Sequence, residues 1–285
     1  MTDAYPPPRP SPARGEGDYV ELHCHSNYSF LEGASHPEEL VARARDLEMP
    51  ALAITDRNGL YGAVKFFGAA QRAGIKPIIG TVLTIDDGTK PPKDRVDFDR
   101  WGDRLLLLAE DKVGYTNLCR LISMAQMPNA KLMARLPADE LVGHSSHLIA
   151  LVADPKDRLP FYQEVFGRDR VYLELHDHLD QSDRGRNQAL LDLAEQHQAP
   201  LVVTNEVFYA TPDRHRLHDV ITAIRHRATL DEAQRYLHGN TEHALKSGRE
   251  LRQVFSRYPA RVVEEGMRNA TEIAGRCNFS FDLVS

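Results

Sequence analysis

The stretch 50-PALAITDRNGLYGAVKFFGAAQRAGIKPIIG-80 sets one apolar run, 51–55, and the start of a second, 77–85, on either side of a segment with helical period. Two short strands joined by a helical crossover make a βαβ unit, which needs a parallel pair in a sheet covered by helices. Working outward, runs rich in Val, Ile and Leu recur at 19–24, 104–109, 148–153, 171–175 and 201–204. With the first two they give seven expected strands. Helical stretches lie between them, such as 37–48, with proline at an N1-like position and acids in its first turn, and 183–198. The fold class expected is α/β, with the strands closing into a barrel more readily than an open sheet. The polar, Pro/Gly-punctuated segment 86–103 reads as a solvent loop or hairpin tip. From residue 212 the strand signal ends, and 213–233 and 249–277 read as a helical C-terminal appendage.

Composition narrows the function classes. The chain has 285 residues, 42% of them hydrophobic, enough to bury a large core without staples. Its net charge of -6 argues against binding to nucleic acid by bulk electrostatics. Three separated cysteines, Cys24, Cys119 and Cys277, fit a reducing compartment, so the expected location is the cytoplasm. No apolar run approaches the roughly 18 residues of a membrane span, and residues 1–18 read as a flexible Pro-rich lead. The segment 214-RHRLHDVITAIRHR-227 is basic on one or two helix faces, and a solvated surface helix accounts for it better than a DNA-binding one.

Residues just after strands carry chemistry in barrel folds. In 19-YVELHCHSNYSFLEG-33, His23 and His25 alternate along a strand and leave the same face, a spacing that lets two imidazoles share one borderline cation. Glu32, Asp56 and Glu206 could add carboxylates. Taken alone, the histidine pair reads equally as an exposed strand end. His176 and His178 also share a face at a strand end, whereas His144, His147, His215, His218 and His226 read as solvated or capping residues. Cys24 points to the opposite face and reads as buried. No nucleophile elbow, phosphate loop or dinucleotide fingerprint is present in the sequence.

Four blocks, 22-LHCHSNYSFLEGASHPEELV-41, 50–80, 114-GYTNLCRLIS-123 and 201-LVVTNEVFYA-210, resemble the PHP domain that opens bacterial C-family DNA polymerases of the polymerase III alpha-subunit type. With 168-RDRVYLELHDH-178, the spacing is most similar to the error-prone branch of that family. The resemblance implies a distorted seven-stranded, TIM-like β/α barrel at 19–211. It also implies that the helical segment 212–285 completes the domain and leads toward a polymerase portion. Active members hold a cluster of metal ions, zinc or manganese among them, and hydrolyse phosphoesters. Carried over by position, the implied ligands are His23, His25, Glu32 and Asp56, with Glu206 replacing an aspartate.

The departures fall on the other ligand positions. Arg57 stands for the histidine of T-D-H, Val82 for a glutamate, Arg104 for a histidine, Asp154 (after Ala153) in a Gly-Cys pair, and Phe208 for the last histidine. Arginine, valine and phenylalanine offer no ordinary metal-ligand atom. The resemblance therefore implies a degenerate, non-catalytic domain of an error-prone polymerase, with a structural and protein-interaction role in replication or translesion repair synthesis. No cofactor is required, and at most one weakly bound zinc or manganese ion is expected. Arg57 and Arg104 would supply fixed positive charge where metals once sat. The expected partners are the polymerase portion and replisome or mutagenesis accessory proteins, with DNA contacted only indirectly and no membrane. The alternative is a metal-dependent phosphoesterase or 3′–5′ exonuclease with a reduced site on His23, His25, Asp56, Glu206 and His178. Whether the chain is a piece of a longer protein or stands alone is open on sequence.

Overall fold

The computed structural model describes residues 19–88, 102–129, 133–155 and 157–281. The expected lead and most of the 86–103 loop lie outside them. One sheet holds six strands in sequence order: β1 (Ala51–Ile54), β2 (Lys76–Ile85), β3 (Asp103–Ala109), β4 (Leu148–Val152), β5 (Val171–Leu175) and β6 (Leu201–Val203). The expected βαβ unit is present, with β1 parallel to β2 from Ala51↔Lys76 to Ile54↔Ile79. Pairs β4–β5 and β5–β6 are also parallel, but β3 runs antiparallel to both neighbours. The sheet is thus mixed, a curled half-barrel of six strands, and not the seven-stranded TIM-like barrel expected.

The missing strand has a physical cause. Residues 19–25 lie between the two ends of the sheet, touching β1 through an isolated Glu21↔Leu52 bridge and the segment after β6 through Cys24↔Val207. Side chains take up the main-chain donors a continuous ladder would use. Glu21 Oε1 accepts His23 N–H, Glu21 Oε2 accepts Asn205 N–H, and Thr55 Oγ1 accepts Cys24 N–H. A ladder interrupted by side-chain acceptors leaves an extended segment in place of a regular strand.

Eight α-helices are described: α1 (Pro37–Asp46), α2 (Ala63–Ala73), α3 (Lys112–Gln126), α4 (Leu159–Phe166), α5 (Asp183–His197), α6 (His215–Arg225), α7 (Gly248–Val254) and α8 (Ala260–Arg276). Every residue of β1, β4, β5 and β6 is buried, as apolar runs in helix-covered sheets require. The C-terminal helices are not an appendage. Met267, Ala270 and Ile273 of α8 join the main core, and Asn269 Nδ2 donates to Leu201 O on β6. Expected helix 213–233 stops at Arg225, and the stretch from there to Ser247 adds buried His226 and His243 to the buried His218 of α6. Among the described residues no helix is long and apolar enough to cross a membrane.

Candidate functional site

The sheet gathers the candidate residues at one end. Asp56 and Arg57 follow β1, His176 and His178 follow β5, and Glu206 follows β6. Because β3 is antiparallel, its beginning, at Arg104, lies opposite Thr84 near the end of β2 and so joins the same face. A cleft of ≈ 480 Å³ there is lined by His23, Val82, Arg104, Glu174, His176 and Glu206, among others.

His23 and His25 converge as their spacing predicts, with both rings buried and their Nε2 atoms 3.2 Å apart. Proton counting along the chain fixes their states. Ser29 Oγ donates to Asp56 Oδ1 at 2.7 Å, so His25 Nδ1, 3.0 Å from Ser29 Oγ, donates to that hydroxyl. His25 Nε2 is then a bare lone pair that His23 Nε2–H can meet. His23 Nδ1 also lies 2.7 Å from Glu174 Oε1, a pairing that favours a proton on that nitrogen. Electrostatics agree. Burial works against a charge on His23, but Glu174, Glu206 and Glu21 outweigh it and raise its pKa. Burial, with His23 and Arg57 beside it, holds His25 well below the usual imidazole range.

Asp56 is equally occupied. It accepts from Ser26 N at 2.7 Å, Ser26 Oγ at 2.8 Å and Ser29 Oγ at 2.7 Å, which anchors the 26–29 turn. Glu32 meets arginines, with Arg57 Nε at 2.8 Å and Arg225 Nη1 at 3.8 Å. Burial would raise the Glu32 pKa, but Arg57, Arg104 and Arg225 hold it below the ordinary value. Arg104 Nη1 is 3.2 Å from Glu206 Oε1. Despite burial, Glu206 sits well below the usual carboxylate range because His176, His23, Arg104 and His178 surround it.

The remaining substituted positions are filled by apolar groups or left at the rim. Val82 is buried and lines the cleft with Leu106 and Leu151. Phe208 lies flat on His25, ring centroids 5.0 Å apart at 7°, and also touches His218, His238 and His243. Asp154 is exposed beside Ala153 at the cleft's edge. Cys24 is fully buried.

One ligand-like group differs from the set the sequence singles out. One donor atom each from His176, His178 and Glu206 lie within 4.8 Å of one another. Sequence reasoning ranked the two histidines below His23 and His25, since nothing local reveals that β5 and β6 end side by side. It missed Glu174, Ser29 and Arg225 as partners of the named residues. It also missed His238 and His243, whose ring centroids lie 4.0 Å apart between His218 and His178. These two lie in an irregular, polar stretch where hydrophobic period carries no signal.

Comparison with known proteins places this sequence in a family. Residues 21–160 match the PHP domain family. An error-prone DNA polymerase of Anaeromyxobacter sp. (strain K) is 36% identical over 276 residues, 93% of this chain and 23% of that protein. A DNA polymerase III subunit alpha of Borreliella burgdorferi is 29% identical over 276 residues, 91% of this chain and 24% of that protein. The chain thus spans about a quarter of the length of these curated relatives. A solved structure described as a metal-dependent phosphoesterase from Bifidobacterium adolescentis aligns with TM-score 0.45 and 14% identity, over 66% of this chain and 86% of that one.

Proposed function

Because the chain belongs to the PHP-domain family, in the form shared with error-prone DNA polymerases and DNA polymerase III alpha subunits, we propose that it is a non-hydrolytic PHP domain of an error-prone polymerase. Its role is to support the polymerase portion and offer a surface to replisome or mutagenesis accessory proteins in replication or translesion repair synthesis, touching DNA only indirectly. The observation that carries this reading is the pairing of Arg57 with Glu32 and of Arg104 with Glu206. The Arg57 guanidinium sits on Glu32 and the Arg104 guanidinium on one oxygen of Glu206, and the Nε2 atoms of His23 and His25 lie 3.2 Å apart. Losing even an outer-shell partner of a metal ligand costs roughly 10- to 100-fold. With Arg57, Val82, Arg104 and Phe208 at four ligand positions, a cluster able to clamp both the attacking and leaving oxygens of a phosphoester does not assemble.

Bound metal, where a PHP site has it, supplies a Lewis acid and an activated water. Here the chain's own groups hold the site closed: Glu174 orients His23, Ser29 orients His25, and Phe208 covers the pair. The second reading, a reduced metal-dependent phosphoesterase or 3′–5′ exonuclease, is favoured by the grouping of His176, His178 and Glu206. Assay of the chain on p-nitrophenyl phosphate and on 3′-ended single-stranded DNA, with Mn²⁺ or Zn²⁺ added, separates the two. We expect rates equal to those of Glu206→Gln, which lacks the carboxylate that both candidate ligand sets share. Metal-dependent turnover that this substitution removes would replace the first reading by the second.

A further inference from the structure

We propose that His176, His178 and Glu206 form a mononuclear site for a borderline divalent cation such as zinc, distinct from the His23–His25 pair. Neither histidine occupies a position that the family resemblance assigns to a metal ligand. The three side chains come from the ends of two adjacent parallel strands, and their donor atoms lie within 4.8 Å of one another. His176 Nε2 stands 3.5 Å from Glu206 Oε2. Two ligands about 2.1 Å from a tetrahedral ion stand about 3.4 Å apart, so this spacing is that of one shared ion and too long for a strong hydrogen bond.

The groups are prepared for that use. The His176 carbonyl is held by Arg186 Nη2 at 2.5 Å and Asn187 Nδ2 at 3.1 Å, which fixes the backbone that presents the ring. His178 Nε2 lies 2.7 Å from Asn205 O and must donate to it, which sets the tautomer and leaves the other nitrogen a lone pair, as outer-shell carbonyls do for metal-bound histidine. Arg104 occupies Glu206 Oε1 and leaves Oε2 on the histidine side. Glu206 has φ 44°, a left-handed backbone that a non-glycine residue adopts at a cost.

The site binds its ion whether or not the domain serves a polymerase, so its test reads binding and not hydrolysis. The full 285-residue chain, dialysed against chelator, is titrated with ZnCl₂ by calorimetry and with CoCl₂ by visible absorption. We expect one equivalent of Zn²⁺, the strong visible bands of tetrahedral Co²⁺, and affinity lowered about 10- to 100-fold or more in His176→Ala and in Glu206→Gln. In the unaltered chain, imidazole NMR signals of His176 and His178 should shift first and saturate at one equivalent, which decides the matter even if a variant fails to fold. Absence of saturable binding, binding unchanged in both variants, or signals of His23 and His25 saturating first would each overturn the proposal.

Discussion

Arg57 Nε donates to Glu32 Oε2 at 2.8 Å with both side chains nearly buried, so a fixed guanidinium holds a carboxylate that the family resemblance assigns to a metal-ligand position. Removing one partner of a buried pair typically costs about 3–5 kcal/mol, because the other charge is left desolvated. Arg225, 3.8 Å from Glu32 Oε1, offsets part of that loss. Arg57→Ala should therefore destabilise the chain by on the order of 2–3 kcal/mol in urea unfolding at pH 7. Glu32 has its folded pKa below the ordinary 4.5, so the pair's contribution is present above that pH and is lost as pH falls through the lowered value. The difference between Arg57→Ala and the parent chain should shrink below about pH 4, and Arg57→Ala with Glu32→Gln should recover most of the stability. An Arg57→Ala chain as stable as the parent would remove the idea that arginine stands in for metal.

That pair was legible in part. Glu32 and Arg57 could be named from their places in two motifs, but the contact depends on the 26–33 turn folding back onto the residue after β1, held by Asp56 and the two serines. Arg225, from α6, lay in a segment readable only as a charged helix. The six sheet strands were legible to within a residue or two because each is an apolar run buried on both faces. Residues 19–24 carry the same apolar signal, yet Glu21 and Thr55 divert their N–H groups, a competition that periodicity does not record. Strand direction was equally hidden, since β3 reads like its neighbours and runs the other way.

Phe208 is the lid of the histidine pair, stacked on His25 at 5.0 Å and 8% exposed. Truncating a buried phenylalanine costs about 3–5 kcal/mol through lost burial and the cavity left behind. Phe208→Ala should fall near the lower end, about 3 kcal/mol, because it borders polar rings and not only aliphatic groups. Phe208→His keeps a flat ring on His25 and should cost less than half as much. Denaturant midpoints of the two variants check the order, and equal losses would mean that stacking on His25 contributes nothing.

His218 is 4% exposed, and its Nδ1 has no hydrogen-bond partner. Burial first, then His238, Arg225 and His215 nearby, push its pKa down to about 3. Above the unfolded value near 6.5, both states are neutral and stability is unaffected. Below it, the unfolded chain takes a proton that the folded chain refuses, so stability falls by about 1.4 kcal/mol per pH unit for this group until its folded pKa is reached. His238, pushed to about 4 mainly by burial, acts in the same direction. Urea unfolding between pH 7 and 4.5 should show this acid-side decline, and His218→Gln should flatten it by close to one proton's slope. A His218 imidazole signal that titrates near pH 6.5 in the folded chain would contradict it.

Gly266 of α8 tests whether the C-terminal helix belongs to the barrel-like body. A Cβ added there would lie 2.6 Å from Val203 Cγ2 and 3.1 Å from Val203 N on β6, closer than packed atoms tolerate. The glycine is therefore what lets α8 approach the last strand, where Asn269 hydrogen-bonds Leu201 O. In a helix open to solvent Gly→Ala is stabilising, by about 1 kcal/mol. Here overpacking opposes that gain with a cost of typically 1–3 kcal/mol. Gly266→Ala should thus be neutral to destabilising, by up to about 2 kcal/mol, and Val203→Ala in the same chain should turn the glycine substitution favourable. Because one contacting atom belongs to the Val203 backbone, the rescue should be partial. Thermal unfolding of the four chains closes the cycle, and a Gly266→Ala chain that is more stable than the parent with Val203 in place would show that α8 does not rest on β6 this closely.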